Sequence, residues 1–424
     1  MELVMRPSMF AFKLLGKEDR ARAAEWVTPH GPIQTPAFVA VGTQGTVKSL
    51  SEKDLREIGN RVIIANAYHL HLQPGEDLIA GMGGLHRFMG WQGPLITDSG
   101  GFQIFSLGAG KEHGVGKMAP IFPEQKDRGG HLSSKTGKPL VKVHEDGVEF
   151  TSYLDGSLHR FTPEGVIEIQ RKLGADMILV LDECTSPLHD YHYTKAAMER
   201  THRWALRALE AFQRMSNNSQ ALLGIIQGGA YQDLRQESAT FIAAQDFDGH
   251  AIGGSLGSSK EEMHQVLDWT LPLLPPDKPR HLLGIGEVGD IFEVVKRGID
   301  LFDCVAPTRM ARTGTLLVKS SKRFRINILN KQFKNDARPI VEGCHCYTCC
   351  HHSRAYLRHL FLAKEVLAIR LATIHNLYFL ESLMGQIRTA IRERRFAELE
   401  KVWLGRFRSN EERPTRSAPQ HNAC

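Results

Sequence analysis

Eight short apolar runs punctuate the chain, and most of them end in glycine or a polar residue. They are "FVAVG" (38–42), "VIIAN" (62–66), "PLITD" (94–98), "MILVLD" (177–182), "LLGIIQ" (222–227), "HAIGG" (250–254), "HLLGIG" (281–286) and "LFDCV" (301–305). Apolar runs without alternation suit strands buried on both faces of a parallel sheet. Between many of them lie stretches of helical character. "PEGVIEIQRKLG" places Pro163 in a first turn and Gly174 at the end, and "YTKAAMERTHRWALRALEAFQRM" is a longer case. Eight strand–helix alternations predict an α/β fold of the (β/α)8 TIM-barrel type. An open doubly wound sheet is the alternative, weakened because no GxGxxG follows the first strand.

Two segments break the alternation. Residues 107–141 are rich in Gly, Lys, His and Ser and read as a mobile loop. The stretch after them, "LVKVHEDGVEFTSYLDGSLHRF", alternates by two, with turn signals at Asp146-Gly147 and Asp155-Gly156. That predicts a small β-meander, so that 107–162 is an insertion in the barrel. A polar tail is expected over 405–424, leaving 1–404 as the folded domain. The longest run of this kind, "MILVL", is far too short to span a bilayer, and no signal peptide is legible at the N-terminus. The expectation is a cytoplasmic protein with reduced cysteines.

Charge changes the picture at one end. Residues 304–424 hold 22 Lys and Arg against 9 Asp and Glu, a net +13, while the remainder is net −7. A basic third on a mildly acidic body suits a polyanion partner such as a nucleic acid, although a solvated basic surface would look the same. That third also packs Cys344, Cys346, Cys349 and Cys350 into seven residues. Three thiolates at the spacing of Cys344, Cys346 and Cys349 are a zinc signal. Spacing leaves the fourth ligand open among Cys350, His351, His352, His359 and His375. Cys350 follows a ligand directly, so its side chain should diverge.

The strand ends carry the candidate chemistry. In a barrel of this kind the C-terminal ends form the active face. There the sequence places Asn66, Asp98, Asp182, Gln227, Gly253-Gly254, Gly284-Ile285-Gly286 and Asp303. A lone Asp after a strand is usually a helix cap; three on one rim point to chemistry. Paired carboxylates suit substitution at an anomeric carbon, one attacking C1′ and the other handling a proton. In "TDSGGFQ", Ser99, Gly100 and Gly101 leave backbone N–H groups free, and Phe102 offers a flat face for a purine or packs in the core.

"ITDSGGFQIFSL", "LDECTSP", "IIQGG", "AIGG", "LLGIG", "GIDLFDCVAPTRMARTGTL" and "CHCYTCCHHSRAYLRHL…TIHNLYFL" stand in this order. Together they resemble the bacterial-type tRNA-guanine transglycosylases over nearly the whole chain, except 107–141 and the tail. The resemblance implies exchange of guanine at the wobble position (34) of tRNAs with GUN anticodons. The incoming group is a 7-deazaguanine base, queuine or its aminomethyl precursor. It implies Asp303 as nucleophile and Asp98 as general acid/base. Ser99, Asp182, Gln227, Gly253 and Gly254 would line the base, Phe102 and Leu283 would sandwich it, and Asn66 would lie near the ribose. Arg309 and Arg312 would contact the anticodon loop. The resemblance selects His375 as the fourth ligand of one structural zinc ion, which closes a tetrahedron and pins a subdomain of about 318–380 to the barrel. It also implies a homodimer, no redox cofactor and no membrane.

Other residues read as structural. Asp300 is expected at the surface or as a cap, Glu183 pointing away from Asp182, Cys184 and Cys304 as small buried residues, and His345, His351 and His352 at the surface. The chain departs from the family where bacterial relatives read GGL(S/A)VGE and it reads "GGSLGSS" (253–259). Ser259 stands for the family's glutamate and Gly257 for its valine. A missing counter-charge and a missing branched side chain predict queuine over the smaller base, with Glu261 and Glu262 facing solvent. Three rival readings remain. An inactive tRNA-binding subunit would be expected to lose Asp98 and Asp303. A glycoside hydrolase would need neither the cysteine cluster nor the basic third. An archaeosine-type enzyme would carry added RNA-binding domains.

Overall fold

The computed structural model describes residues 9–112, 140–215, 219–321 and 323–408. All eight apolar runs form strands: β1 (Ala37–Val41), β2 (Ile63–Asn66), β3 (Leu95–Asp98), β4 (Met177–Leu179), β5 (Ala221–Ile226), β6 (Gly249–Ile252), β7 (Arg280–Leu282) and β8 (Leu301–Asp303). They pair in parallel in chain order and close, with Leu301 and Asp303 of β8 opposite Ala37 and Val39 of β1. This is a (β/α)8 barrel. The strands are buried on both faces, as their apolar composition requires. Because all run the same way, their C-terminal ends share one rim.

The helices follow local signals. Thr162 accepts from the Gly165 N–H at 3.0 Å, Pro163 opens the helix Pro163–Leu173, and Gly174 ends it at φ 73°. That left-handed position favours glycine. Between β3 and this helix lies a three-stranded antiparallel sheet, Val141–His144, Gly147–Thr151 and Leu158–Phe161. The expected loop at 107–141 does not begin at 107: the helix Gly101–Glu112 runs through its first six residues. Of the rest, 113–139 lie outside the described residues, and Val141 already opens the next strand.

An N-terminal antiparallel sheet, Ala11–Glu18, Ala21–Val27 and Ile33–Thr35, was not foreseen. It is tied to the barrel by Arg22, whose guanidinium pairs with Asp300 through Nε at 2.8 Å and through Nη2. Asp300 also accepts the Arg280 N–H at 2.7 Å and is wholly buried. The surface or capping role expected for Asp300 is therefore wrong. Its partner stands 278 residues earlier.

The C-terminal region packs through one long helix, Val366–Arg392. Arg370 pairs with Asp54 at 2.7 Å, and Asn376 donates to the carbonyls of Pro307 and Thr315 at 3.0 Å and accepts from the Leu317 N–H at 2.8 Å. The last helix, Phe396–Arg408, starts on the carboxylate of Glu18, which accepts the N–H groups of Phe396 and Ala397. It takes in the first residues of the expected tail; 409–424 lie outside the described residues. No helix among the described residues is long and apolar enough to cross a membrane.

Candidate active site and metal centre

Asn66 and Asp98 end β2 and β3 opposite one another in the ladder. Asp98 Oδ2 accepts from Asn66 Nδ2 and from Gln103 Nε2 at 2.9 Å, and Oδ1 accepts the Ala67 N–H at 3.1 Å. Burial pushes its pKa up to about 6, against the pull of these three donors, with a further push from the charge of Asp303. Asp182, beyond β4, accepts Gln227 Nε2 at 2.6 Å and the Ser99 hydroxyl at 3.5 Å. Burial raises it to about 7, again against Gln227 and with the Asp98 charge adding to the rise. The rim thus holds two carboxylates that change protonation near neutrality, the range suited to proton transfer.

Asp303, at the end of β8, is 17% exposed. Its Oδ1 lies 3.0 Å from Nε2 of His281 on β7, and the His281 ring is fully buried with no partner at Nδ1 among the described residues. One carboxylate oxygen is therefore anchored from the neighbouring strand. Sequence reasoning missed both His281 and Gln103. Their signals were a titratable residue inside an apolar strand and an amide one helical turn after Asp98.

Two glycines are required by close approach. A Cβ on Gly101 would stand 2.7 Å from Asp182 O and Oδ1, and one on Gly254, at φ 74°, would collide with Gln227 Oε1. The Gly254 N–H faces the thiol of Cys184. Phe102 is 51% exposed, which excludes the core reading and leaves its ring available at the rim. Leu283 follows β7 and is partly buried. Arg309 lies on the helix Ala306–Ala311, and Arg312, just past it, is exposed. The Glu183 carboxylate turns away from Asp182 to Arg200 and Tyr193, as expected, and its backbone N–H donates to the Thr201 hydroxyl at 3.0 Å. Cys184 and Cys304 are partly rather than fully buried, and desolvation raises both thiols, the latter to about 12, which leaves them un-ionised.

The departure at 253–259 looks different in three dimensions. Ser259 caps the helix Lys260–Thr270, and Glu262 folds back so that its Oε2 accepts the Ser258 N–H and, at 2.9 Å, the Ser258 hydroxyl. A Cβ on Gly257 would meet Glu262 Cβ and Oε2 at 2.5 Å. Glu262 therefore does not extend freely into solvent, and the space a valine would fill is occupied by Glu262. The valine part of the expectation of queuine over the smaller base loses its support, while Glu261 is exposed as expected.

Far along the chain, the side chains of Cys344, Cys346, Cys349 and His375 converge, with all ligand atoms within 4.8 Å of one another. His375 Nδ1 lies 3.4 Å from Cys349 Sγ, 3.5 Å from Cys346 Sγ and 4.0 Å from Cys344 Sγ. A tetrahedral ion with metal–sulfur and metal–nitrogen bonds of about 2.3 and 2.0 Å sets sulfur and nitrogen about 3.5 Å apart, so the group could hold such an ion. His375 Nε2 donates to Leu317 O at 2.8 Å, which leaves Nδ1 as the ligand atom. Cys350 and His359 are exposed, and His351 bonds Tyr347 O, so none of them joins the cluster. A second group, His30, His86 and Asp176, lies at the opposite end of the barrel. Its imidazoles stack at 3.6 Å and 14°, so their in-plane lone pairs do not converge on one ion. It reads as a hydrogen-bonded clamp that also takes the Leu95 N–H at 2.8 Å.

Comparison with known proteins gives one answer. The family model described as queuine tRNA-ribosyltransferase matches residues 18–409. A queuine tRNA-ribosyltransferase of Roseiflexus sp. (strain RS-1) is 50% identical, over 91% of this chain and 96% of the relative. One of Herpetosiphon aurantiacus is 49% identical, over 94% of this chain and 93% of the relative. A third, of Desulforamulus reducens, is 46% identical, over 92% and 96%.

Proposed function

The chain belongs to the queuine tRNA-ribosyltransferase family, and from that premise we propose that it exchanges the wobble guanine of GUN-anticodon tRNAs for a 7-deazaguanine base through a covalent Asp303–ribosyl intermediate. The observation that supports this reading best is the division of labour between two rim carboxylates. Asp303 is 17% exposed and has one oxygen beside His281, whereas Asp98 is gripped by three donors and poised near pH 6. Asp303 attacks C1′ as guanine leaves with the electron pair of the C1′–N9 bond. The guanine takes a proton from solvent, to which Asp98 later returns the one it receives, and the ester stores the ribosyl group while bases exchange. Asp98 then takes the proton of the incoming base as that base attacks C1′ and displaces Asp303. Asp182, Gln227 and the Gly254 N–H read the edge of the base, Phe102 and Leu283 cover its faces, and Ser99 and Gly253 complete the lining. Asn66 steadies Asp98 beside the ribose.

In the same reading the cysteine–histidine group holds zinc. Four ligands complete the coordination, so the metal supplies folding energy and leaves no position for substrate. The basic third and Arg309 and Arg312 contact tRNA phosphates, so binding weakens with salt. The enzyme is cytoplasmic and a homodimer, which light scattering of the zinc-loaded protein tests. The incoming base is queuine or its aminomethyl precursor. Their kcat/KM values on one tRNA decide between them, and Gly257→Val cannot serve as the probe because it would displace Glu262. The test of the central claim is Asp303→Asn. It should abolish both guanine exchange and a denaturation-resistant tRNA adduct, while Asp98→Asn cripples exchange. Exchange of labelled guanine by Asp303→Asn at near the wild-type rate would refute it.

A further inference from the structure

Arg235, on the helix Gln232–Ala243, is completely buried. Among the described residues it forms no ion pair, an unusual condition because a buried charge is normally paired. Burial lowers its pKa only to about 10, so it remains a cation at neutral pH. All its hydrogen bonds run to backbone carbonyls. Nε donates to Gly229 O at 2.7 Å, Nη1 to Ile226 O at 2.9 Å, and Nη2 to Gly253 O at 3.1 Å and Ser255 O at 2.8 Å. These four acceptors bracket the two loops that hold Gln227 and Gly254.

We propose that Arg235 is the positioning residue of the base-binding edge: one guanidinium holds four carbonyls at the ends of both loops, and by holding Gly253 O and Ser255 O it fixes the directions of the Gly254 and Leu256 N–H groups. The reasoning rests on peptide geometry. In a trans peptide the carbonyl and the next N–H point to opposite sides. With Gly253 O held by Arg235, the Gly254 N–H must face away from it, and it does face the thiol of Cys184, two residues after Asp182. With Ser255 O held, the Leu256 N–H is fixed in the same way. The loops contain Gly228, Gly229 and Gly254 at φ 127°, 59° and 74°. Such glycines lose little by reorienting, so an unanchored loop would present its donors only part of the time. The same helix also fixes the backbone of Gln227, whose N–H donates to the Ser238 hydroxyl at 3.1 Å. A planar fork of five donors can hold four carbonyls in fixed directions; a lysine ammonium cannot.

This inference rests on the proposed base exchange. Its test is Arg235→Lys, which keeps the charge and loses the fork, measured as zinc-loaded full-length enzyme. KM for guanine should rise about tenfold, the value of one hydrogen bond of ordinary strength, with kcat and the tRNA Kd within about twofold. An unchanged KM would overturn the proposal, as would parallel losses in KM, kcat and tRNA affinity, which would mark a general structural role. Hydrogen exchange on the base-free wild-type enzyme needs no variant to fold. Residues 253–256 should be protected before any base is added, and exchange at the rate of unstructured chain would also overturn the proposal. If the wild-type enzyme shows no guanine exchange, the functional reading fails, and the hydrogen-exchange arm still decides the role of Arg235.

Discussion

Replacing Gln103 by leucine removes one of the three donors to Asp98 without touching the residue assigned to the ribose. The side chains have nearly the same length, and the lost bond is the 2.9 Å contact to Asp98 Oδ2. A hydrogen bond to an ionised group is worth about 1.5–3 kcal/mol, and one pKa unit is about 1.4 kcal/mol, so the Asp98 pKa should rise by about one to two units. Starting from about 6, it would reach roughly 7–8. Since the proposed exchange needs Asp98 ionised to receive a proton, Gln103→Leu should lose about two- to tenfold in rate at pH 7 and match wild type above about pH 9. The assay is the pH profile of kcat/KM for labelled guanine with saturating tRNA. Superimposable profiles would refute the reasoning, because they would mean that Gln103 does not act on the ionised carboxylate or that Asp98 does not take the proton. A uniform loss at every pH would place the role of Gln103 elsewhere.

Four-ligand zinc binding predicts one zinc per chain, and Cys346→Ala should lose both metal and tRNA binding; metal analysis showing active protein without zinc would count against it. Arg22→Met leaves Asp300 buried without its partner, which should destabilise the fold by about 3–5 kcal/mol; adding Asp300→Asn should recover part of the loss in thermal melts. Asp182 titrates near 7 in the folded chain against an ordinary 3.8, so the folded chain binds more protons between these values and stability falls as pH rises through them. Asp182→Asn should therefore melt higher than wild type at pH 8 and show no such gain near pH 4, and equal shifts at both pH values would contradict the buried-charge explanation.

The barrel was legible because its strands are buried on both faces. Each of the eight apolar runs could be read without knowing its neighbours, and their polar ends named most of the rim. The N-terminal sheet was not legible. Its first strand, Ala11–Glu18, has no continuous buried face, and it matters through Arg22 and Glu18, whose partners stand 278 and 378 residues away. Asp300 was misread for the same reason, since a carboxylate before a strand looks like a cap until the distant arginine is known. His281 and Arg235 were missed because a titratable residue in an apolar run or on a helix face can be satisfied in many ways. Glu262 was assigned to solvent from its place at a helix start, where the turn at Ser258 and Ser259 brings it back.

The two carboxylates proposed as acid/base and nucleophile draw on separate supports. Asp98 is held by Asn66, Ala67 and Gln103, all from the end of β2 and the helices after β2 and β3. Asp303 is held by His281, from β7. Among the described residues no donor is shared between them. What links them is charge: Asp303 raises Asp98, and Asp98 raises Asp182. In the proposed exchange Asp303 loses its negative charge on becoming an ester, and that push on Asp98 relaxes. Asp98 then ionises more readily at the stage when an incoming base must give up its proton, so formation of the intermediate itself prepares the base for the second half of the exchange.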